Sequence, residues 1–341
     1  MRTTTPGIRA GVAATALLVA LTGCTASASA APATPTPSAN QVVLTLTMYD
    51  DKDTPGADLV SLFVTAANAL DRTVTISPHY AEAKDETTAV NAVSSGTSDL
   101  AMVASRAFDN VGVTTLQALN TPFLIDSDAL AKALATGPQV PALFAGLKDI
   151  NVIGLAMAPE GLRHPFGAVS APVAVGDLAG QPVRSPQSQA VWSMLSTLGA
   201  KPMYADSGYT AAESEFDQSP ADHAAGNVTF FAKFDVLALS AAASKRLSAA
   251  QLTALRQAAT KATTEFTANE ESDASKAKDF CVAGGSVALA SDAQLAAWKA
   301  AVQPAIAKLR SVASTARLID AIGGVKAGLP PAPPVKPCPG P

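Results

Sequence analysis

The chain has 341 residues, 28 of them acidic and 24 basic, and a formal charge of −4. That length holds one large or two medium domains. The absence of any basic cluster argues against a nucleic-acid partner, and past residue 23 no uncharged apolar run approaches the ~18 residues of a membrane span.

Arg2 and Arg9 precede an apolar run from Gly11 to Leu21. A charged start, a short apolar run and small residues after it make residues 1–23 a secretory signal peptide. The segment ends in LTGC, which resembles a bacterial lipobox. That resemblance implies cleavage before Cys24 and lipid attachment there, anchoring an exported protein to the outer face of the cytoplasmic membrane. Without residues 1–23 the formal charge is −6. Residues 24–41, rich in Ala, Ser, Thr and Pro, carry no charge and almost no large apolar side chain. They predict a flexible tether, with the folded part starting near Val42.

VVLTLTMY (42–49) reads as a buried strand. Thr54 and Pro55 then open a helix whose stripe is Leu59, Leu62, Phe63, Ala66 and Leu70. RTVTISPHY is a second strand, DETTAVNAVSSG a short helix ended by Gly96, and SDLAMVAS a third strand. This alternation predicts parallel strands with crossover helices. Two helical pieces, SDALAKALATG and PQVPALFAGLKD, lead to the strand INVIGLAMA (150–158). After it, LRHPFGAVSAPVAVGDLAGQPVRS reads as turns and short strands. Ser185 and Pro186 then look like the cap and first residue of a helix ending at Gly199. NVTFFAKFDVLALS is one strand or two. The remainder is mostly helical, with helices capped at Ser248 and at Ser291 or Asp292, the latter kinked at Pro304. No tandem repeat is present.

Arg184 raises a question, because a cation beside an electropositive helix start is poorly placed. Either it turns to solvent or an anion arrives between the two. Cys281 and Cys338 are left once Cys24 is lipidated. In an exported protein they can pair, which would pin the Pro-rich tail to the body; two free thiols outside the cell would be open to oxidation.

Several segments, in order, resemble the solute-binding proteins of TRAP transporters, of the DctP type. They are AVNAVSSGTSDLAMVAS, LQALNTPFLI, GLAMAPEGLRHPFG, DLAGQPVRSPQSQAVWSMLSTLGAKPM and LSAAQLTALRQAATKA, covering about residues 42–325. The resemblance implies an α/β, two-lobed periplasmic-binding-protein-like fold with a ligand cleft between the lobes and a long C-terminal helical region. It places 42–157 and about 231–274 in lobe I, 158–230 and about 275–325 in lobe II, and 326–341 in a Pro-rich tail. It implies a lipoprotein that captures a small organic acid for the membrane permease subunits of a transporter.

In that family an arginine matching Arg184 holds the ligand carboxylate. A guanidinium fork and the adjacent helix N-terminus suit that task. Arg163 matches a second ligand contact, or else pairs with Glu160. Ser105 and Arg106, and the loop from Met48 to Asp51, match cleft-facing positions beyond strand ends. FDQSPADH (216–223) stands where the family has V-D-G-x-E-N-P, with Asp217 and Ser219 in the ligand-facing places. The segment that follows is shortened, so one wall of the cleft is rebuilt. This motivates an alternative reading, a surface interaction or sensory lipoprotein on the same scaffold. Trp192 reads as core, with Leu195 and Leu198. No cofactor motif appears, and His79, His164 and His223 lack metal-ligand spacing, so neither an enzyme nor a cofactor is expected.

Overall fold

The computed structural model describes residues 41–339. The signal peptide, Cys24 and all of the tether but its last residue lie outside the described residues. The first half alternates as its apolar patterning dictates. Strand β1 (Val42–Met48) is followed by α1 (Pro55–Leu70), β2 (Val74–His79), α2 (Glu86–Ser95) and β3 (Leu100–Ala104). β1 pairs in parallel with both β2 and β3. Asp85 caps α2 through Thr88 N, and Gly96 ends it at φ 79°, a left-handed turn that suits glycine.

Two 3-10 turns (Ser105–Val111 and Thr115–Asn120) lead to α3 (Asp128–Ala135), α4 (Val140–Leu143) and the long strand β4 (Val152–Gly167). The second part holds β5 (Pro182–Arg184), α5 (Gln189–Thr197), β6 (Lys201–Met203), β7 (Ala211–Ser214) and β8 (His223–Ala225). Then come β9 (Phe231–Ser240), α6 (Ala241–Ser244), α7 (Ala249–Asn269), α8 (Asp273–Val282) and β10 (Ser286–Ala288), and last α9 (Asp292–Ala301), α10 (Gln303–Arg310) and α11 (Ala313–Ala327).

The first sheet has the order β2-β1-β3-β9-β4, and β4 continues into a second sheet with β7, β5, β6, β8 and β10. β9 inserts antiparallel between β3 and β4. All its side chains are buried, which explains its apolar run. Helices α1 and α7 cover one face of the first sheet, while α2, α3 and α11 cover the other. The second sheet packs on α5, α9 and α10 around the buried Trp298, whose Nε1 donates to Val173 O at 2.9 Å. Each large apolar side chain so buried stabilises the fold by roughly 1.5–3 kcal/mol. Cys281 and Cys338 form a disulfide, and the tail bridges to β10 at Val287.

Two elements differ from the sequence expectation. β4 does not stop at Ala158; it runs on to Gly167 and is shared by both sheets. Two register shifts, at Gly154/Ala156 and Pro159/Gly161, absorb the residues that read as turn formers. The helix expected from Pro186 begins at Gln189, capped by Ser188. Ser185 is buried instead, donating to Glu213 Oε2 at 3.0 Å.

Candidate functional site

A cavity of about 200 Å3 opens where the two sheets meet, beyond the ends of β1 and β5. It is walled by Tyr49 and Asp50 after β1, Asp85 and Glu86 at the start of α2, and Arg106 after β3. Glu160 and Arg163 of β4, Arg184 of β5, Tyr204, Glu215 and Lys233 of β9 complete it. The lobes touch around it. Tyr204 OH donates to Tyr49 OH at 3.0 Å, and Asn110 Nδ2 donates to Gln187 O at 2.8 Å.

Most of the charge in this cleft is already matched. Arg106, 4% exposed, grips Glu86 with Nε and Nη2 at 3.3 and 2.9 Å. Arg163 donates from Nε to Glu213, from Nη1 to Glu215 Oε1 at 3.1 Å and from Nη2 to Glu213 O at 2.8 Å. Lys233 pairs with Glu160. Burial, the largest single influence, works against a charged Glu160, but Lys233, a hydrogen bond with Asp235 and the Arg106 charge together hold the carboxyl down at about 2. Burial and the Glu160 charge push neighbouring Asp235 well up. The bulge at Pro159/Gly161 explains this geometry: it re-aims Glu160 toward Lys233 on the partner strand.

Arg184 is different. Its side chain is 29% exposed, and its ion-pair partner is the fully exposed Asp206, at 3.6 Å. It is the most available cation of the cleft. Among the cleft's buried atoms, Arg106 Nη1 and Glu215 Oε2 have neither a hydrogen-bond nor an ion-pair partner among the described residues.

The structure thus brings Arg184, Arg163 and Arg106 together. It places three other sequence candidates elsewhere. Ser105 is buried at the start of its 3-10 turn. Ser219 spends its hydroxyl within its own turn, donating to Ala221 O. Asp217 pairs with Lys276 at 3.0 Å and lines a larger cavity, about 670 Å3, between α1, α7 and α8. That cavity holds none of the arginines. Of the first loop, Tyr49 and Asp50 line the cleft, while Met48 is core. Arg163 pairs with Glu213 and Glu215 rather than with Glu160.

The N-terminus of α5 also differs from expectation. Its first amides are taken by Asp109, which accepts from Ser188 Oγ at 2.7 Å, Gln189 N at 3.0 Å and Ala190 N at 2.9 Å. The anion at this helix end is the protein's own. His164 is buried between Asp273 and Val228 O. His223 sits in β8 against Ser286 Oγ at 2.6 Å. Trp192 is half-buried and donates to Pro186 O. Among the described residues no group of three or more His, Cys, Asp or Glu could hold a metal ion.

Sequence reasoning passed over Glu213, Glu215, Lys233 and Asp235. The signal was there. Lys233 and Asp235 interrupt an apolar strand, and Glu213 and Glu215 stand two residues apart at the end of β7 and just past it. Charges at buried strand positions need partners, so such positions point at each other.

Residues 67–208 match the family model for bacterial extracellular solute-binding protein, family 7, DctP. That match spans less than half of the chain, and the solved structures that the chain resembles agree with it in fold. Among solved structures, the chain is similar to a TRAP periplasmic solute-binding protein of Ralstonia eutropha H16 with bound (S)-2-acetolactate. The TM-score is 0.76 at 17% identity, covering 84% of this chain and 99% of that one. It is similar also to the sugar acid binding protein of Advenella mimigardefordensis in complex with galactonate, with a TM-score of 0.75 at 15% identity over 85% and 99% of the two chains. A third is a TRAP periplasmic solute-binding protein of Polaromonas bound to D-erythronate, with a TM-score of 0.72 at 20% identity over 84% and 99%. No curated protein matches the chain. Among the described residues no helix is long and apolar enough to cross a membrane.

Proposed function

We propose that this DctP-type protein is an extracytoplasmic receptor that captures a small carboxylate-bearing solute in the cleft and delivers it to the permease of a TRAP transporter. The observation that carries the reading is Arg184. It lines the cleft between the lobes, and its charge is matched only by an exposed aspartate. A guanidinium in that state can take a carboxylate through two parallel bonds. The small-acid ligands of the structural relatives support this class of solute. The lobes supply the two-state element, with ligand favouring the closed form. The sequence supports export, cleavage before Cys24 and lipid anchoring there, leaving the folded part tethered outside the membrane. The protein works as a binder and not as an enzyme.

The test is thermal stability of the full-length protein, in detergent, with galactonate, erythronate and acetolactate as probes. A ligand at about 100 times its Kd stabilises the fold by ~2.7 kcal/mol, a rise of about 5 °C in Tm. Arg184→Ala should abolish the rise. The absence of any shift with these acids or with their amino counterparts would sink the proposal, as would a shift that survives the substitution.

A further inference from the structure

Four cations and five carboxylates line the cleft, and Glu213 and Asp235 stand directly behind them. Burial pushes Asp50 and Asp235 toward their protonated forms. With Asp50 neutral, the four other lining carboxylates, Asp85, Glu86, Glu160 and Glu215, balance Arg106, Arg163, Arg184 and Lys233. A site for a simple organic anion would show an excess of cations. Here a lone carboxylate would leave a balanced cavity with a net negative charge, a costly arrangement away from bulk water.

The unpartnered atoms give that balance a direction. Glu215 is 1% exposed; its Oε1 accepts from Arg163, and its Oε2 has no hydrogen-bond partner among the described residues. A buried carboxylate oxygen left in that state costs free energy until a donor reaches it. Arg106 Nη1, equally buried, is a donor lacking an acceptor on the same wall. The cleft therefore offers the accessible guanidinium of Arg184, an unpartnered donor at Arg106 and an unpartnered charged acceptor at Glu215, with Asp50 nearby on the lining. A hydroxyl would fill the lone pair on Glu215 but leave the charge. A protonated amine answers both.

We propose that the solute taken by this cleft carries a protonated amine as well as a carboxylate, a small zwitterion rather than a bare organic acid. The inference rests on the receptor reading above and narrows its solute class. A volume near 200 Å3 is below the ~300–1,000 Å3 of drug-sized sites, so the zwitterion is small.

Titration calorimetry on the full-length protein tests this with matched pairs that exchange a hydroxyl for an amine: glycerate and serine, 2-hydroxyglutarate and glutamate, gluconate and 2-amino-2-deoxygluconate. The expected result is at least one pair whose amino member binds about tenfold tighter or more. Glu215→Gln should bring the two members of that pair within about threefold, while Arg184→Ala weakens both. If circular dichroism shows that Glu215→Gln fails to fold, Glu215→Asp, which keeps the charge and withdraws it by one methylene, carries the same comparison. Hydroxy acids that bind as well as or better than their amino partners overturn the zwitterion inference and leave the receptor reading standing. A preference that survives the folded carboxylate variants also overturns it. No binding by any of these solutes overturns both.

Discussion

Gly161 sits beside the bulge that aims Glu160 at Lys233, and it has no room for a side chain. A Cβ placed there would lie 2.9 Å from Glu215 Cγ and 3.3 Å from its Cδ. Glu215 cannot easily retreat, because it is buried and held by Arg163. Gly161→Ala should therefore cost about 1–3 kcal/mol, the usual range for overpacking a tight interior. Urea unfolding measures this. The substitution should also weaken solute binding, since it displaces the carboxylate that faces the cavity. An unchanged midpoint would mean that Glu215 moves freely and the ion network is loose.

Asp109 and α5 show how an element can read correctly in type and wrongly in place. Ser185 and Pro186 carry good start signals, yet Ser188 is the cap. The deciding contact is not local: Asp109, from the turn after β3, takes Ser188 Oγ and the next two amides. A residue 79 positions away cannot be seen in a cap motif. β4 was illegible for a related reason. Pro159, Gly161 and Pro165 read as breakers, but pairing with β9, β7 and β8 carries the strand through them. By contrast, the β1-α1-β2-α2-β3 run was legible because local apolar spacing alone defines it. Arg184 was legible through its motif; the carboxylates that neutralise Arg163 and Arg106 were not, since they come from other strands and helices. The Asp109 contact ties the first-sheet turn to the second-sheet helix, so it helps to hold the lobes together. Asp109→Ala removes a cap and leaves amides unpaired, which should cost about 1–3 kcal/mol. Small-angle scattering should show a larger radius of gyration in the unliganded variant. A variant that melts lower at unchanged radius would reduce Asp109 to a helix cap.

At the scale of the whole molecule, two ties join distant parts, and each makes a prediction. The Cys281–Cys338 disulfide closes a 57-residue separation and holds the tail against β10. Loop closure of that length is worth about 4 kcal/mol in the chain-entropy account, and removed disulfides typically cost ~2–4 kcal/mol. The double substitution Cys281→Ser, Cys338→Ser should lower unfolding stability by that amount. The second tie is Lys276, buried on α8. Its Nζ meets Glu270 at 2.6 Å, Asp217 at 3.0 Å and the Glu160 carbonyl at 2.8 Å, and so joins the end of α7 to the shared strand β4. Burial pushes the Glu270 carboxyl up to about 7, against the pull of Lys276 and with help from the Asp217 charge. Between about 4.5 and 7 the folded protein therefore holds a proton that the unfolded chain has released. The stabilisation from this group is complete below about 4.5 and is lost as pH rises through about 7. The Tm difference between wild type and Glu270→Gln should accordingly change across pH 5 to 8, wild type losing ground as pH rises. Parallel melting curves over that range would mean that Glu270 ionises normally and that Lys276 alone carries the tie.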